Sequence, residues 1–199
     1  KIGNCVLSIN DSSKLSIDKI MTYSLEGLLI SEHLTDIISK IGEHIVINKI
    51  ELINNDFNTQ IFSYTHNSYR KNIGKICVAL KAETNSKGIE LEQFGKNLCM
   101  HIAASKPMAI NIEYLDKKLV EKEKEIQKET IISSGKPNNI INKILEGKMK
   151  KFYSEVTLFN QSYILDNEKT VKNILDEFSS DKINFKIINY SLFVLGAEW

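Results

Sequence analysis

The chain has 199 residues, 42% of them hydrophobic, and its 26 basic and 25 acidic residues leave a formal net charge of +1. That is enough apolar material for one compact domain or two small ones, and the near-cancellation of charge excludes the broad basic field that nucleic acid demands. No apolar run approaches the roughly 20 residues of a membrane-spanning helix, and no signal-peptide pattern is present.

In chain order, the apolar residues from Ile2 to Ile9 predict the end of a helix, and a chain that starts so reads as part of something longer. Asp11-Ser-Ser13 is a turn signal. Ser16 is placed to cap a short helix carrying Ile17, Ile20 and Met21. A further helix from about Ser31 to Ile41 puts Leu34, Ile37, Ile38 and Ile41 on one face, a core face, and Gly42 closes it. The β-branched run His44 to Ile53 predicts a strand. A second strand from Phe57 to Tyr64 leads through a polar loop, His66 to Asn72, into a third from Ile73 to Ala82. These two form an antiparallel hairpin with Ile76, Val78 and Leu80 on one face and Cys77 and Ala79 on the other. Ile89 to Ser105 is helical by its Leu91, Phe94, Leu98 and Ile102 spacing, lies across the sheet and ends before Pro107.

Between Ile112 and Tyr153 the pattern changes to two long helices folded back on each other. The first limb carries Leu115, Leu119 and Ile126 on a stripe so narrow that it suits one partner helix rather than a core. Lys117, Glu121, Lys124, Glu125 and Lys128 alternate around it at spacings that support a solvated helix. The break at Ser133-Ser-Gly-Lys-Pro137 offers Gly135 as a left-handed stop and Pro137 for the next first turn. The second limb supplies Ile140, Ile141, Ile144, Leu145, Met149 and Phe152. Each limb would run about 30 Å, and a long arm that buries little is ordinarily there for reach.

Beyond it, Glu155 to Phe159 and Tyr163 to Leu165 read as strands flanking an Asn160-Gln-Ser162 turn. Thr170 to Phe178 is a short helix with Val171, Ile174, Leu175 and Phe178 inward. Ile183 to Leu195 is a strand, with Ile188, Tyr190 and Leu192 alternating with Ile187 and Phe193, that closes the sheet begun before the arm and stops at Gly196. The expected fold class is α+β: two small antiparallel-sheet subdomains with helices on one face, plus a protruding antiparallel helical hairpin of coiled-coil type. Residues 1–54 form the first subdomain in part, 55–111 with 154–199 the second, and 112–153 the arm inserted in it.

The residues offer little chemistry. His33, His44, His66 and His101 fall at no metal-ligand spacing and belong to four separate elements. Cys5, Cys77 and Cys99 contain no Cys-x-x-Cys and read as reduced thiols of a cytosolic protein. Phosphate-loop, dinucleotide and nucleophile-elbow motifs are missing, and Gly135-Lys136 alone is too weak to cradle a phosphate. The acidic residues cluster on the arm, where paired-carboxylate hydrolysis has no dry pocket to work in. No catalytic, cofactor or metal residue is therefore named, and the residues favour an interaction protein over an enzyme.

Several runs are nevertheless distinctive. Met100-His-Ile-Ala-Ala-Ser-Lys-Pro107, Ser134-Gly-Lys-Pro137 and Ile144-Leu-Glu-Gly-Lys-Met-Lys-Lys-Phe152 resemble the bacterial translation elongation factor Ts family. So do Ser39-Lys-Ile-Gly-Glu-His-Ile45, Tyr64-Thr-His66 with Ile73-Gly74, Glu155-Val-Thr-Leu158, Lys169-Thr-Val171 and Phe193-Val-Leu-Gly196, all in unbroken order.

The resemblance implies a cytoplasmic guanine-nucleotide exchange factor for elongation factor Tu, acting in translation elongation. It would promote GDP release by stabilising the nucleotide-free GTPase, with no catalytic residue, cofactor, membrane or direct nucleic-acid contact of its own. It further implies that Ile73, Gly74, His101, Ile164 and Leu165 belong to the surface gripping that partner. For Ile73, Ile164 and Leu165 the residues alone read as ordinary core, for Gly74 as a bulge or a close backbone approach, and for His101 a buried hydrogen-bonded role stays open. Two family features, an N-terminal helical module and a Thr-Asp-Phe-Val-Ala strand end, are not in this sequence, so association with weak acceleration of GDP release is the expectation. The competing reading is a scaffold protein whose arm mediates self-association.

Overall fold

The computed structural model describes residues 1–9, 15–135, 137–179 and 183–197; the turn expected at Asp11 to Ser13, and Lys136 in the break between the long helices, lie outside the described residues. The chain is α+β, and among the described residues three sheets, β1-β2, β3-β4-β7 and β5-β6, pair antiparallel. It divides into one compact unit of Lys1–Asn54 with residues from Gly196 onward, and another of Asn55–Leu195.

In the first unit, α1 (Ile2–Leu7) and α2 (Ile17–Met21) bury Val6 and Ile20. Ser16 caps α2 as its position predicts, its hydroxyl accepting the Lys19 N–H at 3.3 Å. A tight hairpin absent from the sequence reading follows: β1 (Ser24–Leu25) turns at Glu26 and Gly27, both at positive φ, into β2 (Leu28–Leu29). Helix α3 (Ile30–Ile41) ends at Gly42, left-handed at φ 76.

Two expectations fail in this unit. The face assigned to the core on α3 is only partly covered, with Leu34 and Ile38 half-buried and Ile37 43% and Ile41 58% exposed; the fully buried residue is Ile30 at the helix start. Residues 44–53 belong to no strand. Ile47, Ile50 and Leu52 do pack against Val6, Ile20 and Ile30. β-branched composition supplied the apolar contacts, but a strand also needs a partner ladder, and the described residues provide none.

In the second unit, β3 (Thr59–Arg70) and β4 (Ile73–Thr84) are longer than expected, because β3 runs on through the supposed polar loop to a tight turn at Lys71 and Asn72. Asn67 and Asn72 adopt positive φ, and the pairing slips between Ser68 and Arg70. Helix α4 (Ile89–Ser105) spans the expected range and lays Leu91, Leu98 and Ile102 into the core. Its Gly95 sits directly over Phe62, where a β-carbon would overlap the ring.

The two long helices are α5 (Lys117–Ser133) and α6 (Asn138–Val156), separated by Gly135 at φ 69 and by Pro137. They share a cluster of Ile131, Ile141, Leu145 and Met149. In the first limb the contact side differs from the expected stripe: Leu115, just before α5, is buried and Leu119 is half-buried, but Ile126 is 46% exposed, while Val120 packs on the cluster. Glu123 and Gln127, half-buried, take the intermediate turns, with Lys148 Nζ of α6 donating to Gln127 Oε1 at 2.8 Å. A stem that makes such bonds occupies a seam position without being apolar, so hydropathy alone misplaces the stripe.

After α6 the strand expected over 155–159 is instead the last turn of the helix and a 3-10 turn, Leu158–Asn160. Its backbone is tied to the chain after α4: Met108 N–H donates to Val156 O at 2.8 Å and Leu158 N–H to Ala109 O at 2.9 Å. Strands β5 (Ser162–Tyr163) and β6 (Asp166–Thr170) lead into α7 (Val171–Phe178), capped by Thr170. The closing strand β7 (Phe185–Val194) pairs with β4, from Ile76 opposite Val194 to Thr84 opposite Phe185. A register shift opposite Lys81 and Ala82 breaks the alternation, so Phe185 and Ile187 face inward and Ile188 outward. Phe94, Phe178 and Phe185 bring α4, α7 and β7 together, the first two stacked at 3.7 Å between centroids.

Candidate functional site

The residues singled out from the sequence lie on two loop tips and one helix. Ile73 and Gly74 open β4 just after the hairpin turn, and Ile73 is 59% exposed rather than core. A β-carbon on Gly74 would lie 2.5 Å from the His66 carbonyl oxygen and 2.6 Å from Thr65 Cγ2. The close approach is therefore made by β3 itself, and glycine is what lets the two strands meet there.

Ile164 and Leu165 form the turn between β5 and β6. Leu165 is 55% exposed and Ile164 half-buried, so these two also depart from the core reading. His101 lies on the inner face of α4 and is wholly buried. The structure joins His101 to this turn: Ile164 N–H donates to His101 Nδ1 at 3.3 Å. Nδ1 is thereby an acceptor, so Nε2 carries the proton and donates to Gln161 Oε1 at 3.0 Å. Burial pushes the imidazole below its ordinary value, with the Gln161 bond opposing. The ring also lies 5.7 Å from that of Tyr163, whose phenol burial pushes up.

Gln161 is the residue the sequence reading passed over. Together with Asn160 and Ser162 it marks a turn in the sequence, whereas in the fold Gln161 is buried. Turn-forming and hydrogen-bond-satisfying side chains are the same types, and only burial separates them. Nearby, the Tyr190 hydroxyl donates to the Pro107 carbonyl oxygen at 2.6 Å, fixing the chain where it leaves α4.

Other reactive groups are occupied structurally. Burial pushes the Cys99 thiol up to about 12, far from a nucleophilic thiolate at neutral pH. His33 Nε2 meets Leu25 O at 2.6 Å and His66 Nδ1 meets the Tyr64 hydroxyl at 3.1 Å. Among the described residues no three His, Cys, Asp or Glu side chains are grouped to hold a metal, and no helix is long and apolar enough to cross a membrane. An open groove of about 270 Å³ runs between β3 and α4, lined by residues such as Ile61, Ile89, Glu92 and Lys96. Ile73 and Leu165 thus stand exposed at turns between paired strands, with His101 buried behind the second.

Comparison with known proteins places the chain in one family. A family model described as Elongation factor TS matches residues 2–197. The chain is 34% identical over 196 residues to the elongation factor Ts of Rickettsia prowazekii (strain Madrid E), covering 96% of this chain and 62% of that protein. It is 32% identical over 196 residues to that of Ehrlichia canis (strain Jake), covering 97% and 67%. With Paracoccus denitrificans (strain Pd 1222) it shares 34% over 182 residues, covering 90% and 57%. The chain thus spans about three fifths of the length of the curated relatives it matches.

Proposed function

The chain belongs to the elongation factor Ts family, and from that premise we propose that it binds elongation factor Tu in the cytoplasm and promotes release of GDP during translation elongation. The family match across residues 2–197 is the observation that carries this reading. Such a factor needs no catalytic residue. It has only to bind the empty GTPase more tightly than the loaded one, because linkage then makes it weaken nucleotide by the same factor by which nucleotide weakens it.

The partner is gripped through the exposed loop tips. Ile73 at the β3–β4 turn and Leu165 at the β5–β6 turn offer apolar side chains, and Gly74 keeps the first turn tight. Burying an exposed leucine is worth about 1.5–3 kcal/mol, which makes Leu165 the first side chain to test. His101 is buried and acts behind the surface, holding Ile164 through its amide. The α5–α6 pair is a reaching coiled-coil arm, its outer faces left to solvent.

Calorimetry with nucleotide-free elongation factor Tu, repeated with excess GDP, tests binding; stopped-flow release of a fluorescent GDP tests exchange. The expected result is binding that GDP suppresses, weakened about tenfold or more by Leu165→Ala. Equal binding in both nucleotide states would refute the mechanism, and sedimentation showing only self-association would favour the scaffold reading.

A further inference from the structure

The Gln161 side chain makes three hydrogen bonds, two to α4 and one to α6. Its Nε2 donates to Glu155 O at 2.7 Å and to Ser105 O at 3.2 Å, and its Oε1 accepts from His101. Both carbonyls belong to last helical turns, of α6 and α4 respectively. Such carbonyls have no partner within their own helix and need an outside donor. One amide thus caps two helix ends at once, using both of its protons. Its oxygen meanwhile selects the His101 tautomer that leaves Nδ1 free to hold the Ile164 amide. The Gln161 backbone adds a fourth tie, its carbonyl accepting the Val171 N–H at 3.0 Å at the start of α7.

We propose that Gln161 is a positioning residue that holds the Ile164–Leu165 turn and the end of α6 in one fixed geometry for docking. This rests on the reading of Leu165 as a partner contact and goes beyond it by naming what orders the contact in advance. The physical reason is pre-organisation: a turn already held in its bound form loses less freedom on association. Because its bonds reach the end of α6, the end of α4 and His101, loosening Gln161 loosens the end of α6 and the turn together.

The test uses the full chain and three variants: Gln161→Met, of similar length but without the amide, Leu165→Ala, and the two combined. In the unsubstituted chain, nitrogen-15 NMR should find the His101 proton on Nε2, and the Ile164 amide should be protected from exchange. In Gln161→Met the Ile164 amide should exchange faster while the far-ultraviolet spectrum is retained. The dissociation constant for nucleotide-free elongation factor Tu, measured below the variant's melting range, should rise about tenfold. Once Leu165 is already alanine, Gln161→Met should cost far less, because the contact it positions is gone.

A His101 proton on Nδ1, or an unprotected Ile164 amide in the unsubstituted chain, overturns the proposal even if Gln161→Met does not fold. Unchanged affinity in Gln161→Met alongside weakened affinity in Leu165→Ala overturns the positioning role and leaves the docking surface standing. If neither variant weakens binding, the docking reading falls and this proposal with it.

Discussion

Helices α4 and α6 are alike in length, 17 and 19 residues, and each carries a glycine in mid-helix, yet they are built for different ends. Helix α4 buries seven residues from Leu91 to Ala103 against a sheet, a broad face that includes a histidine and a glycine. Helix α6 buries Ile141, Leu145 and Met149, one residue per turn in a line, against a single partner helix. A broad face fixes a helix in place from several directions, whereas a seam fixes it from one. The contrast assigns rigidity to the part that sets the loop tips and leaves most of the long helices' surface to solvent.

The strongest way to break that contrast is to empty a buried site in each. Leu98→Ala removes a side chain with no exposure at all and should cost about 3–5 kcal/mol in urea unfolding. Leu145→Ala, on the seam, should cost nearer about 2 kcal/mol, since its surroundings can close or hydrate. Equal losses would mean that the two helices are equally embedded.

The glycines sharpen the comparison with opposite signs. Gly95→Ala drives a methyl into the Phe62 ring, itself buried and 5.7 Å from the Phe185 ring, and should destabilise by about 1–3 kcal/mol. An effect confined to the second unit is expected too from His101. Its value is lowered in the folded chain, so the unfolded chain takes up a proton first as pH falls through about 6.5. Stability present above that pH is lost below it, with a slope of at most about 1.4 kcal/mol per pH unit, and His101→Asn should remove this part of the slope in urea midpoints taken from pH 7.5 to 5.5. The smallest effect is on the other helix: Gly147→Ala meets open space and should stabilise by about 0.5–1 kcal/mol in thermal melts.

Of the proposed docking residues, the sequence could name Ile73, Gly74, Ile164 and Leu165 only by resemblance, because single apolar residues beside polar ones look alike in a core and on a loop tip. His101 could be placed on the inner face of α4 by its neighbours Leu98 and Ile102. Its link to Ile164 spans 63 positions, and no local pattern encodes it. Gln161 left no signal, for a buried double cap has the same composition as a solvated turn.

The sequence by itself determined what depends on neighbours a few residues apart. The Ser16 and Thr170 caps, the Gly42 and Gly135 stops, the span of α4 and the β3–β4 pairing all follow from spacing and from the φ preferences of single residues. Tertiary structure alone decided what depends on a distant surface. It turned Ile126 to solvent and Gln127 inward, left 44–53 without a ladder among the described residues, slipped β7 by one residue at Ile188, and drew Gln161 under two helix ends. Periodicity says which side of an element is apolar. Whether that side is covered is settled by contacts that cost chain entropy to close and that no local residue pattern specifies.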